Sequence, residues 1–232
     1  MSLSIHKFKH DSDLVDEFSR RICQLLEQAV TEREHAYLVV SGGRTPVALF
    51  ERLSKQVLPW PQITILLADE RWLSANDANS NERLVRQHLL QHQAAAANFI
   101  SLLTDADDAH EALDELNQRV AVIPCFDVVL LGMGEDGHTA SLFPDSPEAE
   151  LEHALNTSDP VAAITPRAAP YQRVTLTRSR LMHSRIIFFQ LSGTAKQKVL
   201  EQAVVPAAGL PVSRFLQQQE VPVEVMLATP EE

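Results

Sequence analysis

One histidine, His138, follows three glycines in the run LLGMGEDGHTASLFP, residues 130–144. A free imidazole titrates near pH ~6.5, which makes histidine the side chain best suited to exchange a proton at neutral pH. Asp136 stands two residues before it and can orient the ring; Thr139 and Ser141 add hydrogen-bonding groups. Gly132, Gly134 and Gly137 let a ligand come close to the backbone. Taken alone, these residues leave two readings of His138 open, a hydrogen-bonded structural histidine and a general base. The hexapeptide GMGEDG also has the form G-x-G-x-x-G. A dinucleotide fingerprint, however, needs a helix from its third glycine and an acidic residue after a further strand. Pro144 arrives seven residues after Gly137 and Pro147 follows, so no such helix fits. What remains is a glycine-rich loop after a strand, where α/β folds place their ligands.

A second glycine loop, SGGRTP, spans residues 41–46. Thr45 is a good N-cap and Pro46 suits a first helical turn, which predicts a helix over VALFERL. The N–H groups of Gly43, Arg44 and Thr45 would then face an anion at the helix start, with the Arg44 side chain adding charge. An ordinary strand–helix turn is the alternative; two glycines, a hydroxyl and an arginine together favour phosphate. ADERW, residues 68–72, clusters Asp69, Glu70 and Arg71 where an apolar run ends. Such charges are either solvated or in contact with a sugar hydroxyl or phosphate. His88 and His92 lie four apart with no third ligand and no HExxH motif, so a solvated helix face is expected and no metal site. Ser41 and Ser141 lack the G-x-S-x-G elbow of serine hydrolases.

These loops need strands to hold them. YLVVSGG (37–43), ITILLADE (63–70), DVVLLGMG (127–134), VTLT (174–177), RIIFFQLSG (185–193) and VEVMLA (223–228) read as strands. They are continuous apolar runs rather than alternating ones, the pattern of strands covered on both faces. Leu14, Val15, Phe18, Ile22, Leu25, Leu26 and Ala29 recur at helical steps and predict a helix over 13–30. Further helices are expected over 82–92, 109–119 and 194–204. The proline-bearing stretch from Pro144 to Pro170 reads as an excursion from the sheet, a flap near the site. One α/β domain over residues 1–232, a mostly parallel sheet sandwiched between helices, is the expected architecture.

Composition narrows the partners. The formal net charge is −11, which argues against nucleic acid but not against a small phosphorylated ligand held by a few local cations. The two cysteines, Cys23 and Cys125, fall in apolar patterns and read as buried thiols of a reducing compartment. MSLSIHKFKH lacks the apolar stretch of a signal peptide, and no apolar run reaches the ~20 residues of a membrane span. The cytoplasm, with no membrane partner, is the expected setting; the oligomeric state is left open.

SGGRTP, ADERW, SNERL (80–84), LLGMGEDGHTASLFP, PYQRVTLT (170–177) and GTAK (193–196) occur in one order across nearly the whole chain. In that order they resemble the 6-phosphogluconolactonase family, which shares its fold with glucosamine-6-phosphate deaminases. The resemblance implies a deaminase-like α/β fold and hydrolysis of 6-phospho-D-glucono-1,5-lactone without a cofactor or metal. It implies a phosphate site at Gly42, Gly43, Arg44 and Thr45 with Arg71, Lys196 and Arg173. It further implies His138 as general base supported by Asp136, with Asp69 near the sugar. The alternatives are a deaminase-like isomerase and a non-catalytic sugar-phosphate sensor. Deaminases carry a glutamate five residues after the corresponding histidine, where this chain has Phe143. Sensors usually carry a DNA-binding segment, for which this chain has no spare residues.

Overall fold

The computed structural model describes residues 3–229. Strand β1 (Leu3–Phe8) leads into helix α1 (Asp11–Arg33), then β2 (Ala36–Val40), α2 (Val47–Leu53), β3 (Ile63–Leu67), β4 (Asp69–Arg71) and α3 (Asn81–His88). The chain continues through β5 (Asn98–Ile100), α4 (Leu113–Ala121), β6 (Val128–Leu131), α5 (Glu148–Asn156), β7 (Val161–Ile164) and β8 (Arg173–Leu176). It closes with α6 (Arg178–Met182), β9 (Ile187–Ser192), α7 (Thr194–Ala203), α8 (Ser213–Leu216) and β10 (Val223–Ala228).

Seven strands form one sheet in the order β1-β10-β9-β6-β2-β3-β5. Every pairing in it is parallel. Neighbouring side chains on a strand point to opposite faces. Every residue of β3 and β6 is buried, so both faces of the central sheet are covered, as the apolar runs imply. Helix α1 covers part of one face, touching β1, β2, β6 and β10. Its buried residues Leu14, Phe18, Ile22, Leu26 and Ala29 recur at three- and four-residue steps, and Phe18 meets Phe188 of β9 with ring centroids 5.0 Å apart. The helix outruns the expected 13–30 at both ends. Asp11 and Asp13 suit its positive N-terminus, and Glu34, at φ 61, closes its last turn by donating its N–H to the Val30 carbonyl.

Several expected elements are redrawn. The 63–70 strand is two strands: β3 lies in the parallel sheet, and the chain passes at Ala68 into β4 of a second sheet. That second sheet is antiparallel, in the order β4-β8-β7, so the 174–177 strand belongs to it rather than to the main sheet. The 144–170 excursion is more than a flap, since it contains α5 and β7 and supplies an edge of the second sheet. The helix expected over 82–92 stops at His88, where Leu89 caps it by donating its N–H to the Val85 carbonyl, and His92 beyond it lies in the left-handed region at φ 49. The helix expected over 109–119 runs from Leu113 to Ala121. The Thr45 cap is not made: Pro46 takes the cap position of α2 with no side-chain bond. The turn before it closes through the Val47 N–H and the Arg44 carbonyl and leaves Thr45 exposed.

Strand order decides where a ligand can sit. From β2 the chain moves to β3 and β5 on one side; β6, β9 and β10 lie on the other. The crevice beyond the carboxyl ends of β2 and β6 is therefore a topological switch point, the place open α/β sheets leave for a ligand.

Candidate active site

Both glycine loops leave the sheet at that crevice. A cavity of about 380 Å³ opens there, within the size range of small-molecule sites. It is lined from β2 by Ser41, Gly42, Gly43 and Thr45, from β4 by Asp69 and Arg71, and from the β6 loop by Gly132, Met133, Gly134 and His138. Arg173 of β8, Gln190 of β9 and Lys196 of α7 complete its polar wall. Residues far apart in sequence meet because four adjacent parallel strands, β9, β6, β2 and β3, end on one side.

His138 is held by its neighbours. Its ring Nδ1 lies 2.6 Å from Asp136 Oδ1, and its backbone N–H donates to the same oxygen at 3.1 Å. A bond from Nδ1–H to a carboxylate fixes the tautomer that leaves the Nε2 lone pair free. Burial pushes the Asp136 carboxyl up, but the hydrogen bond and charge of His138 outweigh this and hold it below its ordinary value. The loop leaves room for nothing larger than glycine at 134: a Cβ there would lie 2.1 Å from His138 Nδ1 and 2.3 Å from Asp136 Oδ1. Gly134 also donates its N–H to the His138 carbonyl at 2.8 Å, closing the loop on itself.

Beyond His138 the chain turns at Ala140, which has φ 46. The turn buries Ser141, whose hydroxyl donates to Asp69 Oδ2 at 2.6 Å. Asp69 is thereby tied to the histidine loop across 72 residues of sequence. Its backbone carbonyl accepts from Asn81 Nδ2 at 2.9 Å. Asn81 in turn packs under the SGGRTP loop: a Cβ on Gly42 would lie 1.9 Å from Asn81 Oδ1. Glu70 is fully buried and accepts four bonds, from the N–H groups of Arg71, Asn81 and Glu82 and the Ser80 hydroxyl. Burial raises its carboxyl while those donors oppose the shift, two of them from the first turn of α3.

Three cations border the cavity. Arg71 and Arg173 are paired residues of β4 and β8. Arg71 Nη1 donates to the Asn79 carbonyl at 2.6 Å, and Arg173 Nη2 to the Pro170 carbonyl at 3.0 Å. Burial pushes the Arg173 guanidinium below its ordinary value, with Asp69 pulling the other way, and its Nε has no hydrogen-bond partner among the described residues. Lys196 projects from the first turn of α7.

A family model described as glucosamine-6-phosphate isomerases/6-phosphogluconolactonase matches residues 9–224. The chain belongs to this family. Among its relatives, a 6-phosphogluconolactonase of Pseudomonas aeruginosa is 41% identical over 194 residues, 82% of each chain. One of Rhizobium meliloti is 36% identical and covers 98% of this chain and 100% of its own. The crystal structure of a 6-phosphogluconolactonase from Shewanella baltica superposes with a TM-score of 0.94 at 41% identity, over 98% of each chain. A monomeric glucosamine-6-phosphate deaminase shares the fold at a TM-score of 0.80 and 19% identity.

Of the residues expected at the site, the fold brings His138, Gly42, Gly43, Thr45, Asp69, Arg71, Arg173 and Lys196 to one cavity, with Asp136 behind His138. Arg44 is exposed and does not line it. Asn81, Gln190 and Met133 line the cavity without having been singled out. The run SNERL held the signal for Asn81, because Ser80 caps α3 by accepting from the Arg83 N–H and so fixes Asn81 as its first residue.

Proposed function

We propose that the protein hydrolyses 6-phospho-D-glucono-1,5-lactone to 6-phosphogluconate, a step of the oxidative pentose phosphate pathway, with His138 as general base. The observation that carries this reading is the Asp136–His138 pair at 2.6 Å on the wall of a cavity bordered by three cations. A δ-lactone is a reactive ester, so a positioned base and an oxyanion site suffice. His138 Nε2 takes a proton from water as the water oxygen attacks the lactone carbonyl carbon. Asp136 holds the imidazolium that forms. The tetrahedral intermediate collapses by breaking the bond to the ring oxygen, which takes the proton back and becomes the 5-hydroxyl. Gly134 and Gly137 donate their N–H groups within the loop, to the carbonyls of His138 and Gly134. The oxyanion is therefore assigned to the N–H groups of Gly132 or Met133, both on the cavity wall. The phosphate is assigned to the Gly42–Thr45 loop with Arg71, Lys196 and Arg173; Arg44 contributes charge only from outside the cavity.

Phe143 favours this chemistry over deamination, since it is buried on the cavity wall where a ring-opening glutamate would be needed. The test is to supply enzymatically generated 6-phosphogluconolactone, glucono-δ-lactone and glucosamine 6-phosphate in separate assays. The phosphorylated lactone should disappear well above its spontaneous rate and the unphosphorylated one much more slowly. Ammonia from glucosamine 6-phosphate without acceleration of the lactone would overturn the assignment. Equal efficiency on both lactones would remove the phosphate site.

A further inference from the structure

Phe143 does more than occupy a position. Its ring centroid lies 4.2 Å from that of His138 with the planes tilted by 34°. The Arg173 guanidinium carbon lies over the same ring, 5.7 Å from its centroid. The residue is 9% exposed, and its backbone is held on both sides: its N–H donates to the Ser141 carbonyl and its own carbonyl accepts from the Ser146 N–H. The ring is thus a fixed platform shared by an imidazole and a permanent cation.

The charge on that platform changes during the reaction. A base acts from its unprotonated form, so before the proton is taken only Arg173 brings a charge to the ring. Once the imidazole has taken the proton of water, two cations stand against one ring. Repulsion between them would oppose the proton transfer. An aromatic face is electron-rich and attracts cations, more strongly where water is excluded. It therefore favours imidazolium over imidazole and offsets the field of Arg173. We infer that Phe143 is a positioning residue for the base, which aligns the His138 ring by stacking and stabilises the imidazolium as it forms in the presence of Arg173. This rests on the reading of His138 as base.

Leucine at this position keeps an apolar side chain but lacks the ring quadrupole, whereas tyrosine keeps the ring. Because the interaction strengthens only as the proton moves, its loss falls on kcat rather than KM. Phe143→Leu should lower kcat roughly three- to thirty-fold, the range that a cation–aromatic contact supports, with KM within about two-fold. Phe143→Tyr should restore kcat to within about three-fold of the original. Thermal melting of each variant separates these effects from misfolding. A Phe143→Leu enzyme of unchanged kcat, a loss confined to KM, or a tyrosine variant as slow as the leucine one would each overturn the inference. A His138→Ala control that keeps its activity would instead overturn the reading beneath it.

Discussion

At the scale of single residues, one oxygen of Asp136 serves both the ring and the backbone of His138, so the pair is built from a three-residue stretch. That is why it was legible in the sequence: the contact is local and needs no knowledge of the fold. His138→Ala should lower kcat about 10²–10⁴-fold, the usual share of a positioned base, with little change in KM. Asp136→Asn should lose less, because the aspartate only orients and stabilises the ring. A His138→Ala enzyme keeping more than about a tenth of the activity would move the role of base to Asp69. The pH dependence has a definite sign. Asp136 is held below its ordinary value, net of the burial that raises it. Its pairing with His138 therefore supports the fold above the unfolded value near pH ~3.9 and is lost as pH falls through the lower folded value. Asp136 thus stays ionised across the working range. The acid limb of log kcat should then fall with a slope of one, from protonation of a single base. A slope of two, measured after subtracting spontaneous hydrolysis, would show a second group losing its charge there.

Secondary-structure elements bring together what local sequence cannot. SGGRTP could be read as an anion loop from its glycines and hydroxyl, yet what fixes Gly42 is Asn81, the first residue of α3, 39 positions later. Asn81 cannot swing aside freely, since it is 2% exposed and its amide donates to the Asp69 carbonyl. A methyl group on Gly42 must therefore push the β2 loop away from α3 and β4. Gly42→Ala should destabilise the protein by about 1–3 kcal/mol, as overpacking of a tight site does, and raise KM. Asn81→Ala removes the obstructing amide, so the double variant should be less destabilised than the sum of the two single changes. Contacting residues typically couple by about 0.5–3 kcal/mol, measurable as shifts in urea midpoints at constant slope. Strictly additive midpoints would mean that Gly42 and Asn81 do not pack as described.

For the whole molecule, the five central strands of the parallel sheet could be read from the sequence, whereas its edge strands β1 and β5 and the second sheet could not. β3 and β6 are apolar at every position because both faces are covered, and that composition needs no partner to be recognised. β4 has only three residues, Asp69–Arg71, and is recognisable as a strand only once β8 lies against it. Its continuity with β3 in sequence hid the change of sheet at Ala68. The change matters because the cavity is walled by both sheets: Gly42, His138 and Gln190 come from the loops and strands of the first, Asp69, Arg71 and Arg173 from the second. A ligand reaching across should bind only the folded chain and tie the two sheets together. At a concentration of 100 times its Kd such a ligand adds about 2.7 kcal/mol of stability. For a domain of this size each kcal/mol raises the melting temperature by about 2–4 °C. Saturating 6-phosphogluconate, the proposed product, should therefore raise Tm by roughly 5–10 °C, and gluconate at the same concentration by far less. Arg173→Ala should lose most of the phosphate-dependent shift, because Arg173 is the buried cation of the second sheet at the cavity. Equal shifts with gluconate and 6-phosphogluconate would mean that the cavity does not recognise phosphate. A full shift in the Arg173→Ala protein would place the phosphate against the first sheet and α7 alone.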